Sequence, residues 1–190
     1  KLKFCGSLQD VAVSAQFIQE SVPERINIKQ DIYSEVSRFA SENVILASST
    51  SGLLPSDFQF NCRFPERILV GHPFNPVYLL PLVEVVGGEA TDPKYINDAV
   101  EFYTQLGMRP LHVRSEVPGF ISDRLQEALW REALHLVNDG VATPEEVDMA
   151  ISYGPGLRWA IWGVCQIFHV AAQPGGMEQF LKHFDPSLFP

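Results

Sequence analysis

A histidine and a glutamate twelve residues apart carry the clearest chemical pattern in the sequence. His72 sits in Gly71-His72-Pro73-Phe74-Asn75-Pro76, and Glu84 interrupts the apolar run Leu82-Val83-Glu84-Val85-Val86. A carboxylate inside a buried strand is costly unless it is paired, and an imidazole is a ready partner. Such a pair fixes the imidazole tautomer and raises its basicity, which is what a general base acting on an alcohol needs. A purely structural buried pair would use the same two residues. Pro73 and Pro76 restrict the backbone around them, so the imidazole and the Asn75 amide are expected in fixed positions at a strand end.

Two further stretches add polar groups. Ser48-Ser49-Thr50-Ser51-Gly52 follows the apolar Val44–Ala47. Ligands of open parallel sheets bind beyond the carboxyl ends of the strands, although a solvated turn has the same composition. Pro118-Gly119-Phe120-Ile121-Ser122-Asp123-Arg124 opens a long helical stretch. Asp123 and Arg124 also fit an ordinary surface pair.

The elements that must position these groups alternate. Strands are expected at Leu2–Cys5, Phe17–Ser21, Val44–Ser48, Arg67–His72, Leu82–Val86 and Pro110–Val113. Between them, Ser7 caps a helix over Leu8–Ala15, with Asp10 completing a partial capping box. Pro23 suits the first turn of a helix over Glu24–Ala40, where Ile28, Ile32, Val36 and Phe39 form one face. Asp92-Pro93 starts a helix over Lys94–Leu106 that ends at Gly107. This order predicts an α/β domain with a largely parallel sheet. From Gly119 onward the pattern is helical: Phe120–Asn138, then a helix started by Thr143-Pro144-Glu145-Glu146. A boundary near Val117 therefore divides the chain into residues 1–117 and 118–190.

The chain has 190 residues, 14 Lys and Arg against 23 Asp and Glu, and a net charge of −9. That balance excludes a nucleic-acid binder, which needs a basic face, but leaves room for a cationic small molecule. No run reaches the roughly 18 apolar residues of a membrane helix, and no signal peptide is visible. Cys5, Cys62 and Cys165 are odd in number and far apart. They read as reduced thiols of a cytoplasmic protein, each buried and inert, and none has metal-ligand spacing. The G-x-G-x-x-G phosphate loop of dinucleotide-binding domains is not in the chain, which also lacks an initiator Met. The expectation is that an N-terminal part is missing.

Together, the Ser48-Ser49-Thr50-Ser51 loop, the His72-to-Pro76 loop with Glu84, and Pro118-Gly119-Phe120-Ile121-Ser122-Asp123-Arg124 resemble the 3-hydroxyacyl-CoA dehydrogenase family. Order and spacing match along nearly the whole chain. The resemblance implies a nicotinamide-dependent dehydrogenase: a Rossmann-like domain whose first βαβ part lies upstream of Lys1, followed by an all-helical domain that supports a homodimer. It implies His72 as general base, Glu84 as its partner, and Ser51 and Asn75 around the reacting oxygen. It places Glu24, Lys29 and Ser51 near the cofactor, NAD. A piece without the phosphate loop is expected to bind NAD poorly and to be inactive alone.

Position 123 departs from the family, which usually has Asn there. Asp offers no amide donor and adds charge, which turns the expectation away from a CoA thioester. The stretch Ser152–Ala160 and Gly175-Gly176-Met177 resemble the family branch whose substrate is a 3-hydroxy acid bearing a trimethylammonium group. The lambda-crystallin (gulonate dehydrogenase) branch matches more weakly. A quaternary ammonium is held by aromatic faces and carboxylates. Tyr153, Trp159, Trp162 and Phe168 lie close in sequence, Asp123 supplies charge, and Arg158 suits a carboxylate clamp. The bland alternatives are core or dimer aromatics and a surface arginine.

Overall fold

The computed structural model describes residues 2–184, which form two compact units that divide between Gln126 and Glu127. In the first unit five strands make one sheet in the order β1-β2-β3-β4-β5: Phe17–Glu20, Ile45–Ser48, Ile68–Pro73, Leu82–Gly87 and Arg109–Val113. β1, β2 and β3 run parallel, β4 is antiparallel to β3, and β5 is parallel to β4. The reversal follows from the connection. The chain between Pro73 and Leu82 is too short for a crossover helix, which needs about a dozen residues, so it turns back as a hairpin.

Helices cover both faces. α1 (Leu8–Ala12), α2 (Ile26–Phe39) and α3 (Pro55–Gln59) belong to one side, where Tyr33, Val36, Phe58 and Phe120 pack with Leu46, Ile68, Val70 and Val86. α4 (Pro93–Gln105) covers the other, with Tyr95, Ile96, Ala99 and Tyr103 against Ile45, Ala47, Leu69, Val83 and Val85. Alternate strand residues serve opposite faces, as a doubly covered sheet requires. Arg67 is wholly buried and closes the end of α2, donating to the Ser37, Ser41 and Val44 carbonyls.

Several local expectations need correction. Leu2–Cys5 is exposed and irregular rather than a strand. Among the described residues no strand offers it a backbone partner. α1 stops at Ala12 instead of Ala15, although Ser7 Oγ does accept the Asp10 amide at 3.1 Å. α2 begins at Ile26, so Pro23 lies ahead of its cap. α3 had no expected counterpart. Cys5 and Cys165 are exposed and Cys62 is half-buried, so the cysteines are free but not core residues.

The second unit is helical. α5 (Ser122–Asn138) runs into it, followed by α6 (Pro144–Ser152), α7 (Pro155–Trp159), α8 (Val164–Ala171) and α9 (Gly176–Phe184). α6 carries the expected capping box, with Thr143 and Glu146 satisfying each other's backbone amides at 3.2 and 2.8 Å. Residues 185–190 of the expected helical part lie outside the described residues.

Candidate active site

The antiparallel register sets His72 directly opposite Glu84. Directly opposed residues share a face of the sheet, here the face of α2, α3 and Phe120. His72 is 5% exposed and Glu84 fully buried. Glu84 Oε2 lies 3.0 Å from His72 Nδ1. Glu84 Oε1 accepts the Ile121 and Ser122 amides at 3.0 and 2.9 Å. These are orphan amides at the start of α5, and a carboxylate is favoured there.

Burial pushes the Glu84 carboxyl up, but the His72 hydrogen bond and the Ser122 and Ile121 amides outweigh it. The group lies below its ordinary value and is a carboxylate at neutral pH. It can only accept, so Nδ1 carries the proton of the His72–Glu84 bond. Nε2 is left as the basic nitrogen.

Phe120 packs 5.7 Å from the imidazole and Phe74 6.2 Å from it. Phe120 is fully buried at φ +48°, next to Gly119 at φ +73°. A left-handed aromatic residue costs about 1–3 kcal/mol and persists only where its surroundings hold it.

Glu24, Lys29 and Ser51 meet at the carboxyl ends of β1 and β2. Lys29 is 1% exposed, its ammonium 3.0 Å from Glu20 and 3.3 Å from Glu24. Burial raises the Glu24 carboxyl; the Thr50 hydroxyl, Lys29 and the Ser51 amide lower it by more, so it too lies below its ordinary value. Thr50 donates to Glu24 and accepts the Leu53 amide at 2.9 Å, which fixes the turn after β2. A β-carbon on Gly52 would sit 3.7 Å from the Gly119 nitrogen, so this turn lies against the start of α5.

The other expected residues are less constrained. Asn75 is exposed in the loop after β3, and Ser51 is exposed beside Thr50. Asp123 is half-buried in the first turn of α5. Arg158 and Trp159 lie on α7 in the second unit, Arg158 exposed and Trp159 partly covered. The aromatic stretch does not close into a cage among the described residues. Phe168 packs against Phe180 with the rings tilted and their centroids 4.6 Å apart, while Tyr153 is 80% exposed.

The residue reading missed Glu20, the nearest partner of Lys29. It is buried and also accepts the Ser48 hydroxyl at 2.6 Å and the Val22 amide at 2.6 Å. Its signal was an acidic residue closing the strand Phe17–Glu20, the same anomaly that marked Glu84.

An open sheet with helices on both faces, carrying a His–Glu pair and polar turns at the carboxyl ends of its parallel strands, is a Rossmann-like fold. The chain belongs to the 3-hydroxyacyl-CoA dehydrogenase family: residues 1–117 match its NAD-binding domain and residues 119–189 its C-terminal domain. It is 57% identical over 188 residues to an L-carnitine dehydrogenase of Pseudomonas sp, covering 99% of this chain and 59% of that protein. The L-carnitine dehydrogenase of Oceanobacillus iheyensis is 54% identical over 187 residues, covering 98% and 61%. The chain thus spans about three fifths of the curated relatives it matches. Among solved structures, the 5-formyl-3-hydroxy-2-methylpyridine 4-carboxylic acid 5-dehydrogenase, an NAD+ dependent dismutase, superposes with a TM-score of 0.86. It is 34% identical, covering 90% of this chain and 55% of that one. The (S)-3-hydroxybutyryl-CoA dehydrogenase of Ralstonia eutropha gives 0.72 at 26% identity, covering 97% and 65%.

Proposed function

We propose that the protein carrying this chain is an NAD-dependent dehydrogenase that oxidises the 3-hydroxyl of L-carnitine to 3-dehydrocarnitine. Residues 1–117 serve as the end of the NAD-binding domain and 118–190 as a helical substrate and dimerisation domain. The observation that carries the reaction type is the buried His72–Glu84 pair, which leaves His72 Nε2 basic. Likeness to L-carnitine dehydrogenases over almost the entire chain supports the substrate.

The chain's own residues suit the nicotinamide half of NAD. Glu24 offers a partly exposed carboxylate, and Ser21, Ser49 and Ser51 offer hydroxyls at the ends of β1 and β2, a set that matches ribose hydroxyls. When bound, NAD supplies the hydride acceptor. His72 Nε2 takes the proton of the substrate hydroxyl, and Glu84 stabilises the imidazolium that forms. Ser51 and Asn75 hydrogen-bond the substrate oxygen as its charge develops. In the reverse direction His72 returns the proton to the ketone.

Asp123 is the carboxylate assigned to the trimethylammonium group, and Arg158 and Trp159 the groups assigned to the rest of the substrate. None of the seventeen residues of α5 is buried, and Leu129, Trp130 and Leu134 are exposed along it. A second copy is the occupant proposed for that face. Three free cysteines suit a cytoplasmic protein. Among the described residues, no helix is long and apolar enough to cross a membrane.

The deciding assay follows NADH formation by the native protein with L-carnitine and, separately, with a short 3-hydroxyacyl-CoA. Activity on carnitine alone upholds the reading. Activity on the CoA ester alone removes Asp123 as a cation group and returns the protein to the family's parent chemistry. Silence on both favours a gulonate-type substrate or a non-enzymatic relative of lambda-crystallin.

A further inference from the structure

Glu116 lies between β5 and α5 and takes no part in the chemistry above. Both of its oxygens bind Ser56: Oε1 accepts the amide at 2.8 Å and Oε2 the hydroxyl at 2.6 Å. The same hydroxyl accepts the Glu89 amide at 2.8 Å. Ser56 is in the first turn of α3, where amides lack partners within the helix, so the carboxylate meets an open donor. Its sequence separation from Glu116 is 60 residues. One side chain thus ties the approach to α5 to α3 and to the turn after β4.

The left-handed Gly119–Phe120 turn follows directly, with the Phe120 amide bonded to the Val117 carbonyl at 3.0 Å. Next come the Ile121 and Ser122 amides that Glu84 accepts. A strained aromatic position relaxes unless it is held. Here it is held on one side by Glu116–Ser56 and on the other by Glu84.

We propose that Glu116 is a positioning residue for the His72–Glu84 pair: by pinning residues 116–120 to α3, it keeps the Phe120 turn in the conformation that presents the Ile121 and Ser122 amides to Glu84. The inference rests on the dehydrogenase reading for its kinetic consequence, but not for its structural one.

The test compares the native protein with Glu116→Ala and Glu116→Gln by amide hydrogen exchange at Ile121 and Ser122 and by steady-state kinetics. In Glu116→Ala, exchange at both amides is expected to accelerate about tenfold or more. The same variant loses roughly ten- to a hundredfold in kcat while KM for NAD stays within about twofold. Glu116→Gln keeps the shape and one acceptor oxygen, and restores most of both. If Glu116→Ala does not fold, Ser56→Ala, which removes the hydroxyl's bonds to Glu116 and to the Glu89 amide but keeps the Ser56 amide bond, is expected to change exchange and kcat in the same direction. Unchanged exchange at both amides in a folded variant overturns the proposal. So does a kcat loss accompanied by an equal rise in KM that Glu116→Gln does not relieve. Exchange is read without substrate, so an inactive wild type would sink the dehydrogenase reading and leave the Glu116 proposal to be judged by exchange alone.

Discussion

The Tyr103 hydroxyl occupies the space directly over Gly71: a β-carbon built there would stand 1.9 Å from Oη and 2.7 Å from Cζ. Tyr103 donates to Gln19 Oε1, while Gln19 Nε2 donates to the Gly71 carbonyl at 3.0 Å and to Ser49 Oγ at 2.8 Å. Burial pushes the Tyr103 phenol well above its ordinary value, so it stays protonated as a donor. The residue before His72 is thereby fixed from α4 and β1 together.

Gly71→Ala is expected to destabilise the fold by about 1–3 kcal/mol, the usual cost of overpacking, and to lower kcat by displacing His72. Chemical denaturation measures the first effect. Adding Tyr103→Phe should give little relief, because the ring carbon is also in the way. Wild-type stability in Gly71→Ala would mean that α4 yields freely at this point.

His72→Gln is expected to reduce kcat by roughly 10²–10⁴-fold, the range for a lost general acid–base group, with little change in fold. A variant that kept wild-type kcat would remove His72 from the mechanism.

Glu84 ties a pH dependence to folding. Its carboxyl is lower in the folded state than its ordinary value, so its contribution is complete above the unfolded value, about 4.3 for Glu. That contribution is lost as pH falls through the folded one. The wild type should lose stability over this acidic range more steeply than Glu84→Gln, which has no such proton to take up. Parallel stability–pH curves for the two proteins would contradict the assignment. Glu24, also lowered, contributes in the same direction in both.

Lys29→Met leaves Glu20 buried without its cation. Removing one partner of a buried pair costs about 3–5 kcal/mol. The double variant Glu20→Gln/Lys29→Met should recover most of that loss, measured by equilibrium unfolding. Additive losses in the double variant would show that the two groups act independently.

The sequence exposed what depends on short range or on chemical anomaly. A carboxylate inside Leu82–Val86 and a histidine twelve residues before it are visible by spacing, and the geometry joins them. The Thr143–Glu146 capping box is local and equally legible. What stayed hidden depends on the folded path of the chain. The Glu116–Ser56 and Gln19–Tyr103 contacts join residues 60 and 84 positions apart. The exposure of Cys5 and Cys165 cannot be inferred from a residue type that is usually buried. α3 has a single turn, too short for a periodic pattern to announce.

The hairpin between β3 and β4 has one more consequence. His72 and Glu84 face each other because of cross-strand register, while the intervening loop, with Tyr78 and Leu79 largely exposed, does not hold them together. Residues 77–80 can therefore be exchanged while His72 and Glu84 stay aligned by their strands. Drift in the exposed part of that segment leaves the frame of the pair untouched, so the outer rim of the hairpin and its buried pair are free to evolve separately.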